Sequence, residues 1–190
     1  MHDLGPAARE LARVVDRVRD DDLDRPTPCG SWTVRDLLVH LLALSAHFAT
    51  VARHTSPEQD SPTDLPSDWR DRLDARLADL PVAWSGPGAW EGTGSAGGAT
   101  MPRAELGVVA LHEVVLHGWD LARSIGAGYE VRDEDVAAVG AFVTAFEHAD
   151  QEARAGLYGP VVDAATRSGL DRVLALAGRD PHRPLAAASG

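Results

Sequence analysis

The stretch TVRDLLVHLLALSAHFATVARH, residues 33–54, constrains the fold more than any other part of the chain. Its first half is apolar nearly all round, and a helix of that kind has to be enclosed by other elements. Thr33 followed by Asp36 has the form of a capping box, with aspartate in place of the usual glutamate, and opens the helix. Its companions follow from the same helical spacing. Leu4, Ala8, Leu11, Val14, Val15 and Val18 mark a helix over residues 4–19, and SDWRDRLDARLADL marks another over 67–80. Pro102, a favoured first-turn residue, starts a helix that runs to about Ser124, with Gly126 or Gly128 to cap it. A fifth helix is expected over 133–152 and a short one over 169–178, with YGPVV extended between them. DDDLDRPTPCGSW is a loop, because Pro26 and Pro28 stop a helix, and TSPEQDSPTDLP (55–66) is a second, polar one. PVAWSGPGAWEGTGSAGGAT (81–100) is either a long loop or a short hairpin. Alanine and leucine dominate and β-branched or aromatic runs are scarce, so the expectation is an all-α fold: a four-helix bundle with extras. One domain over residues 1–180 and a frayed tail over 181–190 complete the layout.

The net charge of −11 weighs against nucleic acid and anionic membranes as partners, since an acidic surface repels phosphate. No uninterrupted run of about 18 apolar residues is present, so no membrane span is expected. The N-terminus lacks the basic-then-apolar pattern of a signal peptide. A single cysteine, Cys29, leaves no internal disulfide framework. The expected location is the cytoplasm, with the thiol reduced.

The chemistry concentrates in LHEVVLHGWDLA, residues 111–122. A helix turns about 100° per residue, so His112 and His117, five apart, point about 140° away from each other. The protease motif H-E-x-x-H needs histidines four apart, and this spacing excludes it. Glu113 and His117 are four apart and share a face, a suitable half-site for a divalent ion. His40, mid-helix among leucines, has to be satisfied by some partner and is the best third ligand. Two imidazoles and a carboxylate with an open position suit zinc, and also iron(II) or nickel. Against this stands the plain alternative that His40 is a hydrogen-bonded core histidine and that E-x-x-x-H is an ordinary helical pair. Asp120, three after His117, is either a partner holding an imidazole or a structural hydrogen bonder. Asp36, one turn before His40, has the same two options, capping being the simpler. His47 shares the face of His40 but lies about 10 Å along the axis, too far to share its ion, and could line a pocket mouth. His54 is expected at the exposed helix end. Cys29 suits a packed loop as a small apolar side chain, or it approaches the site. Trp32 and Trp119 read as packing residues; Trp84 and Trp90 either cover a pocket or pin the glycine-rich loop.

DRPTPCGSWTVRDLLVHL, HEVVLHGWDLARSIG, and YGPVV followed by LDRVLALAGRDP occur in that order along nearly the whole chain. Together they resemble the actinobacterial metal-binding proteins related to the N-terminal domain of mycothiol-dependent maleylpyruvate isomerase, in the DinB-like superfamily. The resemblance implies an up-and-down four-helix bundle with a short extra C-terminal helix. It implies metal ligands at a histidine on the second helix and at a later Glu-x-x-x-His pair, positions that match His40, Glu113 and His117. It further implies mycothiol as cosubstrate and a small electrophile as substrate, in isomerisation or S-transfer, with the metal holding the thiol as thiolate. The isomerase carries a further C-terminal domain and this chain only a short tail, so its substrate apparatus does not carry over directly. The alternative expectation is a non-catalytic metal- or ligand-binding protein, a sensor or stress-response factor. A homodimer through a helix face stands open beside a monomer.

Overall fold

A computed structural model describes residues 1–55, 63–149, 151–154 and 157–183. Its helices are α1 (Gly5–Val15), α2 (Val34–Ala52), α3 (Trp69–Trp84), α4 (Arg103–Ile125), α5 (Asp133–Thr144), α6 (Gln151–Arg154) and α7 (Gly169–Leu176), with one hairpin, β1 (Thr93–Ala96) and β2 (Ala99–Pro102). Both α1 and α2 pack against α3 and α4, so these four helices close into a bundle with α1 across from α2. Helix α5 packs on the outside of α4, and α7 on α5. The all-α bundle expected from the sequence is present, with α5 and α7 buttressing it at the C-terminal side.

Helix α2 begins as the sequence indicates. Asp36 N donates to Thr33 Oγ1, while Asp36 Oδ2 accepts from Thr33 N at 2.9 Å and from Thr33 Oγ1 at 2.7 Å. Leu37, Leu38, Leu41 and Leu42 are wholly enclosed, as are Leu106, Leu111, Val114 and Val115 of α4. Each such side chain contributes about 1.5–3 kcal/mol relative to an exposed one. By length and mean hydropathy (1.3) α2 would suffice to cross a membrane, and 56% of that window is buried by the rest of the protein. Gly126 closes α4, its N–H on the Ala122 carbonyl.

Several boundaries differ from the periodicity. Helix α1 stops at Val15, before a short 3-10 turn at residues 20–22. Helix α3 runs on to Trp84 through Pro81, because Leu80, Ala83 and Trp84 on its last turn are all buried. Helix α5 ends at Thr144, short of 152; the Phe146 carbonyl beyond it is taken by the Arg154 guanidinium at 2.7 Å. The polar loop 55–66 and the tail 181–190 fall largely outside the described residues.

The glycine-rich segment forms the hairpin, with Gly97 and Gly98 both at positive φ (57° and 80°) in the two-residue turn, as a right-handed strand twist requires. Trp84 and Trp90 pin this segment. Their rings lie 4.8 Å apart, and Trp90 Nε1 donates to the Trp84 carbonyl at 2.8 Å. Trp90 sits directly on α4 at Gly107, where an added Cβ would fall 2.2 Å from a ring carbon. Gly107→Ala should therefore lower stability by about 1–3 kcal/mol, the usual cost of overpacking. A urea midpoint that does not move would show that Trp90 shifts freely.

Candidate metal centre

The loop before α2 is drawn tight by its own hydrogen bonds. Thr27 N donates to the Trp32 carbonyl at 2.9 Å, Thr27 Oγ1 to the same carbonyl at 2.9 Å, and Trp32 N to the Cys29 carbonyl at 3.1 Å. This turn carries Cys29 and Trp32 to one end of the bundle, where α2 and α4 face each other. His40 projects from α2, and Glu113 and His117 project from α4 one turn apart. Glu113 Oε2 lies 3.2 Å from His40 Nε2 and 3.1 Å from His117 Nε2. One ligand atom from each of the three residues falls within 4.8 Å of the others. The His40 side chain is 33% exposed, against 18% for Glu113 and 9% for His117. His40 therefore stands at the rim rather than in the leucine core, and the cluster is buried on one side and accessible on the other.

Trp32 walls this cluster. Its ring centroid is 4.9 Å from that of His40 and 6.0 Å from that of His117, nearly parallel to the latter. Read from sequence as a packing residue, it belongs to the site. It also divides two grooves. One, about 510 Å³, runs past Ser31, Arg35, Val39 and His40; the other, about 520 Å³, past Cys29, Tyr158, Pro160 and Arg179. Either is of the size that holds a small molecule.

Behind the cluster stands a second, fully buried set. Asp120 Oδ2 accepts from His117 Nδ1 at 3.1 Å, which leaves Nε2 directed at Glu113. Arg179 grips Asp120 with two hydrogen bonds, Nε to Oδ1 at 2.9 Å and Nη2 to Oδ2 at 2.7 Å. Asp120 thus meets both the His117 imidazole and the Arg179 guanidinium. Cys29 also approaches: its sulfur and ligand atoms of His117 and Asp120 lie within 4.8 Å of one another.

Asp36 spends its carboxylate on the helix cap and only lines the groove outside His40. The Nε2 of His47 meets the Ser95 carbonyl of the hairpin at 3.0 Å. His54 is exposed and meets the Gly88 carbonyl at 3.0 Å. Sequence reasoning passed over Arg179 and Tyr158, and it weighed His112 only as a failed protease ligand. The signal available was a lone arginine closing the apolar run LALAGR.

The charges are strongly coupled. Burial pushes the Glu113 carboxyl up, but the three imidazoles set around it, His112, His117 and His40, outweigh it and hold the group well below the usual range. Burial disfavours the charged form of His117, yet Asp120, Cys29 and Glu113 hold its pKa well above the ordinary value. Burial also pushes Asp120 up, and the Arg179 charge with His117 brings it down. In the metal-free protein His117 thus contributes stability that is full below its unfolded pKa of about 6.5 and fades as pH rises through the folded value. Glu113 and Asp120 contribute stability that is full above about pH 4.3 and fades as pH falls through their lowered values. Urea midpoints of metal-free protein should consequently be highest between about pH 5 and 6.5 and decline on the alkaline side. A flat alkaline limb would mean that His117 carries no extra proton.

A half-buried histidine–glutamate–histidine cluster between facing helices defines a helical bundle with a candidate metal centre. The chain belongs to the family described as the mycothiol maleylpyruvate isomerase N-terminal domain, whose profile matches residues 4–122. Two curated relatives, the uncharacterised proteins Rv0738 and MT0763 of Mycobacterium tuberculosis, are each 27% identical over 127 residues. The match covers 65% of this chain and 66% of each relative, so the chain spans slightly under two thirds of their length. Among solved structures, the mycothiol-dependent maleylpyruvate isomerase superposes with a TM-score of 0.56 at 20% identity, and a histidine-to-alanine mutant of it with 0.58 at 19%. Each covers 74% of this chain and 67% of the isomerase chain, and shares the DinB-like fold.

Proposed function

We propose that His40, Glu113 and His117 hold one divalent ion, zinc ahead of nickel or iron(II), and that the protein uses it with a small thiol, mycothiol, as a cytoplasmic isomerase or S-transferase. The observation that carries this reading is the convergence of two imidazoles and one carboxylate from facing helices. In a tetrahedral zinc site with bonds of about 2.0–2.1 Å, neighbouring ligand atoms stand about 3.3 Å apart. The 3.1 and 3.2 Å separations here match that edge with little movement. A divalent ion bound there lowers the pKa of a coordinated thiol and so supplies thiolate at neutral pH. The chain's own residues supply the rest. Asp120 fixes the imidazole of His117, Glu113 contributes the negative charge, and Trp32 shields one side of the cluster from water. The groove past Ser31, Arg35, Val39 and His40 gives a small molecule an approach to the exposed edge at His40. Membership of the family supports mycothiol as the thiol.

The test is to purify the untagged protein, measure its metals by plasma mass spectrometry, and reconstitute it with zinc, nickel or iron(II). The loaded protein is then assayed with mycothiol, for isomerisation of maleylpyruvate and for conjugation to a chromogenic electrophile. Near one ion per chain with turnover supports the proposal. One ion per chain without turnover on any electrophile would favour the non-catalytic alternative, and no ion at all would remove the centre.

A further inference from the structure

We propose that His112 and Tyr158 form a positioning relay that fixes the carboxylate of Glu113, an inference that rests on the metal centre proposed above. Glu113 divides its two oxygens. Oε2 faces His40 and His117, while Oε1 lies 3.4 Å from His112 Nδ1. That nitrogen is buried and lacks a hydrogen-bond partner in well-aligned geometry, an arrangement that costs free energy unless Oε1 turns to accept from it. On the other side of the ring, His112 Nε2 lies 2.9 Å from the Tyr158 hydroxyl. A lone pair on Nδ1 would face the carboxylate oxygen and be repelled by it. Nδ1 therefore carries the hydrogen, and Nε2 accepts from the Tyr158 O–H. By donating to Nε2 the hydroxyl stabilises the tautomer that offers a donor to Glu113.

The relay sits among aromatic rings. The His112 ring is 5.3 Å from Phe142 and 5.5 Å from Tyr158, and Phe146 is 5.6 Å from Tyr158. His112 and Tyr158 are 5% and 8% exposed. Tyr158 is held in place through its neighbour. Arg154 donates to the carbonyls of Gly159 at 2.8 Å and Leu176 at 2.7 Å. Tyr158, like Arg179, lies beyond the segment that the family profile matches. The region after residue 122 thus reaches both ligands on α4, Tyr158 through His112 to Glu113 and Arg179 through Asp120 to His117.

The experiment has a metal-independent arm and a metal arm. Nitrogen-15 NMR of the metal-free wild type should show His112 as the Nδ1–H tautomer, and Tyr158→Phe should change its signals; an Nε2–H tautomer in the wild type overturns the relay. Zinc titrations should show affinity about 10–100-fold weaker in His112→Leu and in Tyr158→Phe. His112→Asn, whose amide places a donor where Nδ1 stands, should recover most of the loss. A merely structural role would not be rescued in this way. Wild-type affinity in both His112→Leu and Tyr158→Phe, while His40→Ala fails to bind, would overturn the relay and leave the centre intact. No zinc bound by the wild type would overturn the centre and the relay's role toward it.

Discussion

Glu113→Gln should retain no zinc after reconstitution and show no thiol-dependent turnover, while remaining folded. Glutamine keeps the volume and shape of the side chain and removes its charge. The cluster then offers two imidazoles and a neutral amide, and the negative charge that offsets a divalent ion is gone. Losing a partner that merely orients a ligand weakens metal binding by about 10–100-fold, and removing a ligand should cost more than that. The effect on folding is smaller, because two large contributions cancel. The hydrogen bonds with His40 and His117 lose the assistance of the carboxylate charge, and the cost of burying that charge is lost too. A change in metal-free stability of no more than about 3 kcal/mol is expected. His47→Ala is the control: that side chain meets only the hairpin near its ring nitrogen, and metal content should stay at the wild-type level. Full zinc occupancy in Glu113→Gln would remove the carboxylate from the ligand set.

Arg179→Met carries the largest expected loss of stability. Asp120 is 0% exposed, and Arg179 supplies two of the hydrogen bonds to its carboxylate. Methionine fills the space but leaves a buried carboxylate with His117 as its remaining charged partner. Removing one member of such a buried pair costs about 3–5 kcal/mol. For a chain of this size that corresponds to a fall in Tm of about 6–20 °C. Asp120→Asn combined with Arg179→Met should be less destabilised than Arg179→Met alone, since no unpaired charge then remains. Calorimetry of the wild type, Asp120→Asn, Arg179→Met and the double variant closes the cycle. An Arg179→Met midpoint within about 2 °C of wild type would mean that the pair is not buried in solution.

The parts of this molecule legible in the sequence are those encoded locally. The cap at Thr33 and Asp36, the all-round apolarity of α2 and the four-residue step from Glu113 to His117 each lie within one helix, where periodicity is a direct readout of geometry. The pairing of His40 with that step is long-range, and two arguments converged on it: the need to satisfy a histidine among leucines, and the order of the motifs. What escaped were side chains whose partners lie far along the chain. Arg179 meets Asp120 across 59 positions and Tyr158 meets His112 across 46. No local pattern marks either contact. Trp32 escaped for a different reason. A tryptophan in a loop reads as packing, and only the turn that ties Thr27 to Trp32 swings its ring over two imidazoles. The early end of α5 is likewise tertiary, set by an arginine that claims a carbonyl beyond the helix.

The support that Arg179 and Tyr158 give to α4 carries a consequence for the order of events in refolding. Helices α2 and α4 can each form from local contacts within microseconds to milliseconds. The two residues that steady the ligand pair belong to the segment after α5, and closing the loops that dock them, 46 and 59 positions long, carries an entropy cost that helix formation does not. Stopped-flow refolding should therefore show helical circular dichroism recovering ahead of the ability to capture zinc. The lag between the two signals times the docking of α7 and its flanking residues on the bundle. In Arg179→Met that lag should lengthen, although the helices return at the wild-type rate.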